Sequence, residues 1–152
     1  MDWHEERNHL TEQLEILKRL RERFGEEAIQ IASHARLAVH KRWMKNLSDE
    51  KSGRPSEPFG HSAFSVTSAD ENFLDYEVLE DANSKFAVKI TRCLYADFYR
   101  ENGEPGIGYA MHCALDFGEA EAFSPDIVLK RTKTLMQGDS CCDHCYERKI
   151  GD

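Results

Sequence analysis

Along residues 1–47 the apolar positions recur at helical spacing. Leu10, Leu14, Leu17 and Phe24 stand among charged residues, which predicts an amphipathic helix. Gly25 is placed to cap it. Glu26 and Glu27 would open a second helix, where acidic side chains suit the positive end of the dipole. In that helix Ala28, Ala32, Ala35, Val39 and Trp43 form a stripe of small residues ending in a large one. Small residues let another element come close, so the pattern predicts an α-hairpin lying over a sheet or a partner subunit. His34 and His40 have no ligating partner four residues on and are expected at the surface.

Residues 48–61 carry two prolines and two glycines among polar groups and read as a loop. The period then changes to two. Phe64 and Val66, then Leu74, Tyr76 and Val78, then Phe86, Val88 and Ile90 alternate with polar or small residues, as half-buried antiparallel strands do. "EDANSK" between the last two runs is a turn. Helical spacing returns in "CLYADFYRENG", and again in "EPGIGYAMHCALDFGEAEAF", which opens with a proline suited to a first turn. Ile127 to Met136 alternates once more, "QGDS" is a tight turn, and "CCDHCYERK" is expected to pair with the strand before it. The order predicts an α+β fold: an N-terminal helical hairpin and an antiparallel sheet of about five strands, with two helices inserted after the third. The whole chain, 1–152, is expected to be a single domain, with the hairpin over 1–47, the loop over 48–61 and a sheet-and-helix core over 62–149.

Composition narrows the function. The chain is 40% hydrophobic and 32% charged, an ordinary globular balance, with a formal net charge of −8. Such a chain repels phosphate backbones, which argues against nucleic acid as a partner. No apolar run approaches the roughly 18 residues that span a bilayer, so no membrane partner is expected. The acidic start "MDWHEERNHL" is not a secretory signal, and the expected location is the cytoplasm. In a reducing compartment five cysteines point to thiols, metal ligands or catalytic groups before disulfides.

Two stretches concentrate chemistry. On a regular helix Tyr109, His112, Cys113 and Asp116 share one face. His112 and Asp116 would bind a metal together, or Asp116 would orient the imidazole as a general base, or the two pair on a solvated face while Cys113 packs as a small hydrophobe. In a regular final strand Cys142, His144 and Tyr146 point to one side and Cys141, Asp143 and Cys145 to the other. That alternation splits the Cys142-x-x-Cys145 pair, and no second such pair exists, so a zinc knuckle is disfavoured. A zinc site drawn from several elements, with Cys93, Cys113 and Cys142 as candidate ligands, stays open beside thiol catalysis by Cys142 with a histidine and beside no cofactor at all. Arg131 shares a strand face with Ile127 and Leu129, and an inward arginine needs an anion, either a protein carboxylate or a substrate carboxylate.

"TRCLYADFYRENGEPGIGYAMHCALDFGEAEAF" and "LKRTKTLMQGDSCCDHCY" together resemble the L-2-amino-thiazoline-4-carboxylic acid hydrolases. The similarity is carried by the pair Arg92 and Cys93, by Cys113, Asp116 and Phe117, by Arg131, Thr132 and Thr134, and by Gly138, Cys142 and Asp143. Leu94 stands where the family pattern has proline and His144 where it has an aromatic residue, while Cys141 and Cys145 lie outside the pattern. The resemblance implies hydrolytic opening of a thiazoline ring to N-carbamoyl-L-cysteine. Water adds at the ring carbon bearing the amino group, and the C–S bond breaks. On residue chemistry the catalytic candidates are Cys142, Asp116, His112 and His144, with Arg131 and Tyr109 for the small-molecule carboxylate substrate. The alternative reading is a non-catalytic small-molecule sensor domain with cysteine-held structural zinc. The helical hairpin would suit a homo-oligomer in either case.

Overall fold

The computed structural model describes residues 2–51 and 72–149. Helix α1 spans Trp3–Phe24 and α2 spans Glu27–Lys51. Asp2 and Glu5 close a reciprocal capping box at the start of α1, satisfying two amides that a helix start leaves open. Gly25, at φ 79°, ends it in a backbone region that only glycine enters without strain, and its amide bonds to Arg21 O at 2.8 Å. Leu10, Leu14 and Leu17 form the buried face of α1, as their spacing predicts.

Helix α2 departs from expectation twice. It runs through residues 48–51, because the breakers Gly53 and Pro55 come only later. The remainder of the expected loop, 52–61, and the strand expected at Phe64 and Val66 lie outside the described residues. Its inward face is also rotated away from the alanine stripe. Ile29 and Met44 are buried, whereas Ala35 is exposed and Trp43 is 58% exposed. The small residue at the helix crossing lies instead on the facing helix. A Cβ at Gly118 would come 2.8 Å from Leu37.

Strands β1 (Leu74–Ala82), β2 (Lys85–Cys93), β3 (Ile127–Lys130) and β4 (Cys142–Arg148) form one antiparallel sheet in the order β1-β2-β4-β3. The C-terminal strand is thus interior, with Val88 opposite His144 on one side and Leu129 opposite Tyr146 on the other. Burial along β4 alternates as period two requires, with Cys142, His144 and Tyr146 inward. β1 is an edge strand broken by register shifts, and Tyr76, Val78 and Leu79 are exposed on it, so it is not the half-buried strand its alternation suggests.

Between β2 and β3 come α3 (Leu94–Glu101), α4 (Pro105–Gly108), a π-helical turn (Tyr109–Cys113) and α5 (Leu115–Phe123). The last three run on continuously, since Gly108 and Ala114 at their joints keep α-helical dihedrals. The architecture is α+β. One core lies between the sheet and the α2 and α5 helices, built on Phe86, Val88, Ile127, Tyr146, Met44 and Phe123. A second joins α1, α3 and α4 through Leu14, Tyr99, Ile107 and Met136. Leu135 touches both.

The second core has a tight point. A Cβ at Gly108 would fall 2.5 Å from Tyr99 Cγ and 2.6 Å from Met136 Sδ. Gly108→Ala should therefore destabilise the protein by about 1–3 kcal/mol through overpacking, although alanine is the better helix former. Urea denaturation of the two proteins measures the difference.

Candidate active site

Nothing in "YAMHC" breaks an α-helix, so the π turn is selected by its surroundings. The Ala114 amide reaches back to Tyr109 O at 2.8 Å, one residue further than in an α-helix. The Ala110 carbonyl, which Ala114 would otherwise engage, receives the Ser33 hydroxyl of α2 at 2.6 Å. The inserted residue also changes the facing of the side chains. Tyr109 and the Cys113 carbonyl turn toward Arg131. His112 turns toward α3, with Nε2 3.2 Å from the Tyr99 hydroxyl and its ring 4.7 Å from that of Tyr95. The single face expected of Tyr109, His112, Cys113 and Asp116 is therefore divided in two.

Arg131 lies just past β3. The expected strand from Ile127 to Met136 stops at Lys130 because a side chain replaces the ladder. Asp143 on β4 accepts the amides of Thr132 at 2.8 Å and Lys133 at 2.7 Å, and the Thr132 hydroxyl at 2.5 Å. Burial works against this carboxylate, and the hydrogen bonds outweigh it, holding its pKa below the usual range. Thr134 then caps a short 3₁₀ turn, Leu135–Gln137, and Gly138 closes it at φ 95°. Two groups of family-pattern residues, Arg131-Thr132-x-Thr134 and Gly138-x-x-x-Cys142-Asp143, thus fasten each other.

Released from the ladder, the Arg131 side chain is 2% exposed. Its Nη1 bonds to Asp116 Oδ2 and to the Cys113 carbonyl at 2.9 Å, and its Nη2 meets the Tyr109 hydroxyl at 3.3 Å. The guanidinium carbon stands 4.8 Å from the Phe117 ring centroid. A protein carboxylate is thus the anion that this arginine holds. Asp116 also faces His144, whose Nε2 is 3.7 Å from Oδ2, and His144 Nδ1 lies 3.4 Å from the Tyr146 hydroxyl.

Burial pushes the Asp116 carboxyl up to about 7, with Arg131 opposing the rise. Burial and the Arg131 charge push His144 down to about 4, so at neutral pH its imidazole is uncharged. Burial takes His112 to about 3, helped by Arg36. The thiols move the other way. Burial raises Cys93 to about 11 and raises Cys113 and Cys142 as well, so none is a thiolate at neutral pH. Cys142 accepts the Leu135 amide at its sulfur, 3.2 Å away. Among the described residues no three His, Cys, Asp or Glu side chains are grouped to hold a metal ion, the set Cys93, Cys113 and Cys142 included.

The structure therefore gathers Tyr109, Asp116, Arg131 and His144, sets Cys142 within their electrostatic reach, and places His112 apart. Ser33 and Tyr99 were not identifiable from spacing, since each acts across 13 residues or more.

A family model described as L-2-amino-thiazoline-4-carboxylic acid hydrolase matches residues 5–146. Among solved structures, the chain is similar to the crystal structure of the phenol-responsive sensory domain of the transcription activator PoxR with phenol. That match has 14% identity and a TM-score of 0.53, and covers 88% of this chain and 71% of that one. At this identity the likeness shows the fold alone. Among curated proteins no relative matches the chain.

Two outcomes follow from the geometry. Ser33→Ala leaves the partly buried Ala110 carbonyl without its partner and should cost about 1–3 kcal/mol in chemical denaturation. Folded His112 stays neutral down to about pH 3, whereas the unfolded chain protonates it below about 6.5. The unfolded state then binds more protons, so the His112 contribution to stability falls as pH drops through that window. Stability measured from pH 6.5 to 4 should decline less steeply in His112→Phe than in the parent, by up to about 1.4 kcal/mol per pH unit.

Proposed function

The chain belongs to the L-2-amino-thiazoline-4-carboxylic acid hydrolase family, and we propose that it opens the ring of a small cyclic amidine carboxylate by adding water, in the manner of L-2-amino-thiazoline-4-carboxylate giving N-carbamoyl-L-cysteine. One observation carries this reading: a half-buried carboxyl, Asp116, held between Arg131 and His144 with its pKa pushed up to about 7. A group with a pKa close to the working pH is the best compromise between accepting a proton and giving it back.

In this reading Asp116 takes a proton from water as its oxygen bonds to the ring carbon bearing the amino group. The ring nitrogen is protonated, and the intermediate collapses with cleavage of the C–S bond. The second water proton passes to the departing sulfur, leaving the carbamoyl C=O. The two protons of one water thus end on nitrogen and sulfur. Arg131 orients Asp116. Its Tyr109 contact, the longest of the three, is the one a substrate carboxylate would displace. Neutral His144 offers one N–H and one lone pair beside Asp116. Cys142, protonated, serves as a hydrogen-bonding group of the wall in this reading and not as a nucleophile.

A second reading, a non-catalytic small-molecule sensor, is favoured by the fold likeness to a phenol-responsive domain. Turnover separates the two. Chromatographic detection of N-carbamoyl-L-cysteine from the thiazoline carboxylate should show activity that rises through about pH 7 as Asp116 ionises. Asp116→Asn should reduce kcat/KM by about 10²–10⁴-fold. A parent protein that binds the substrate without turnover supports the sensor, and full activity in Asp116→Asn removes the site.

A further inference from the structure

The chemistry above lies on one side of the π turn. On the other side an open groove of about 420 Å³ runs between α1 and α2 over Met111, within the roughly 300–1,000 Å³ of small-molecule sites. Leu17 and Met111, both buried, with Ala32 and the exposed Ile16, make its apolar part. Gln13 and Arg36 also line it, and they supply the two buried side-chain atoms without a hydrogen-bond partner among the described residues, Gln13 Oε1 and Arg36 Nε. Arg36 makes no ion pair among those residues either. A buried acceptor and a buried cationic donor left unpaired beside one cavity oppose the general rule that such groups are satisfied. His9 and Glu12 stand at the exposed rim, where water screens their charge.

The two orphaned atoms specify complementary groups. Arg36 calls for an anion, best a carboxylate, and Gln13 Oε1 calls for an N–H or O–H donor. The apolar walls call for a short hydrocarbon body between them. We infer that the α1–α2 groove is a second binding site, separate from the Asp116 cluster, for a small carboxylate that also carries an N–H donor, of the N-acyl amino acid type. Arg36 binds the carboxylate, Gln13 takes the N–H, and Leu17 and Met111 pack the side chain. The groove adjoins the Arg131 contacts in sequence, because Met111 belongs to the same π turn as Tyr109 and Cys113.

Calorimetric titration with N-acetyl-L-alanine tests the site without reference to turnover; because this ligand is of the same type as N-carbamoyl-L-cysteine, the Arg36 and Asp116 variants tell the groove from the Asp116 cluster. The intact protein should bind it, bind propionate at least tenfold more weakly for want of the donor, and bind N-acetyl-L-alanine amide at least tenfold more weakly for want of the charge. Arg36→Met should lose at least tenfold in affinity while melting no lower than the parent, since Arg36 has no ion-pair partner among the described residues. Gln13→Leu should bind N-acetyl-L-alanine no better than the parent binds propionate. Asp116→Asn should keep full affinity, and the Met111 methyl resonance should move on titration. No binding at millimolar ligand overturns the site, as does undiminished affinity in Arg36→Met or loss of affinity in an Asp116→Asn protein that circular dichroism shows to be folded.

Discussion

A guanidinium taken out of water organises this molecule. The Arg131 side chain is 2% exposed, and a charge so placed is tolerated only when paired and hydrogen-bonded. It draws its partners from two neighbouring pieces of chain: Asp116 and Phe117 from α5, and Tyr109 and the Cys113 carbonyl from the π turn. Removing Asp116 would leave a buried charge unmatched, a change that typically costs about 3–5 kcal/mol. The same pairing keeps Asp116 close to His144, so stability and candidate chemistry depend on one contact.

The π turn decides which groups share that contact. One extra residue in the turn sends Tyr109 toward Arg131 and His112 toward Tyr99. Its cost is an unengaged carbonyl, which Ser33 satisfies from α2. The hairpin is therefore part of the site's support as well as a cover for the core. It also forms the groove in which Arg36 and Gln13 stand, so the turn lies between the Arg131–Asp116 pair and Arg36.

The regular elements were legible because they obey local periods. Leu10, Leu14 and Leu17 bury one side of α1, and Cys142, His144 and Tyr146 bury one side of β4. The family pattern likewise contains Asp116, Arg131 and Asp143. Errors arose where a side chain or a distant element overrode the local period. Alternation carries on past Lys130, yet Asp143 takes the amides of Thr132 and Lys133 and ends the strand. The alanine stripe of α2 looks like a docking face, yet Ile29 and Met44 point inward and Trp43 does not, because α5 supplies the close approach at Gly118. β1 alternates well but sits at an edge, with Tyr76 and Val78 exposed.

By itself, the sequence determined the α+β class, the helical hairpin, antiparallel strands at the alternating runs 74–78 and 86–90, the facing of β4 and the family. All of these follow from patterns repeated within a few residues or from quoted motifs. Only the tertiary structure decided that Arg131 meets Asp116 and leaves the strand, that His112 faces Tyr99, and that Arg36 Nε, beside the groove over Met111, has no partner among the described residues. Those outcomes depend on which buried polar group finds a partner across the fold. Such a balance is set by burial and distance, neither of which is written in residue spacing.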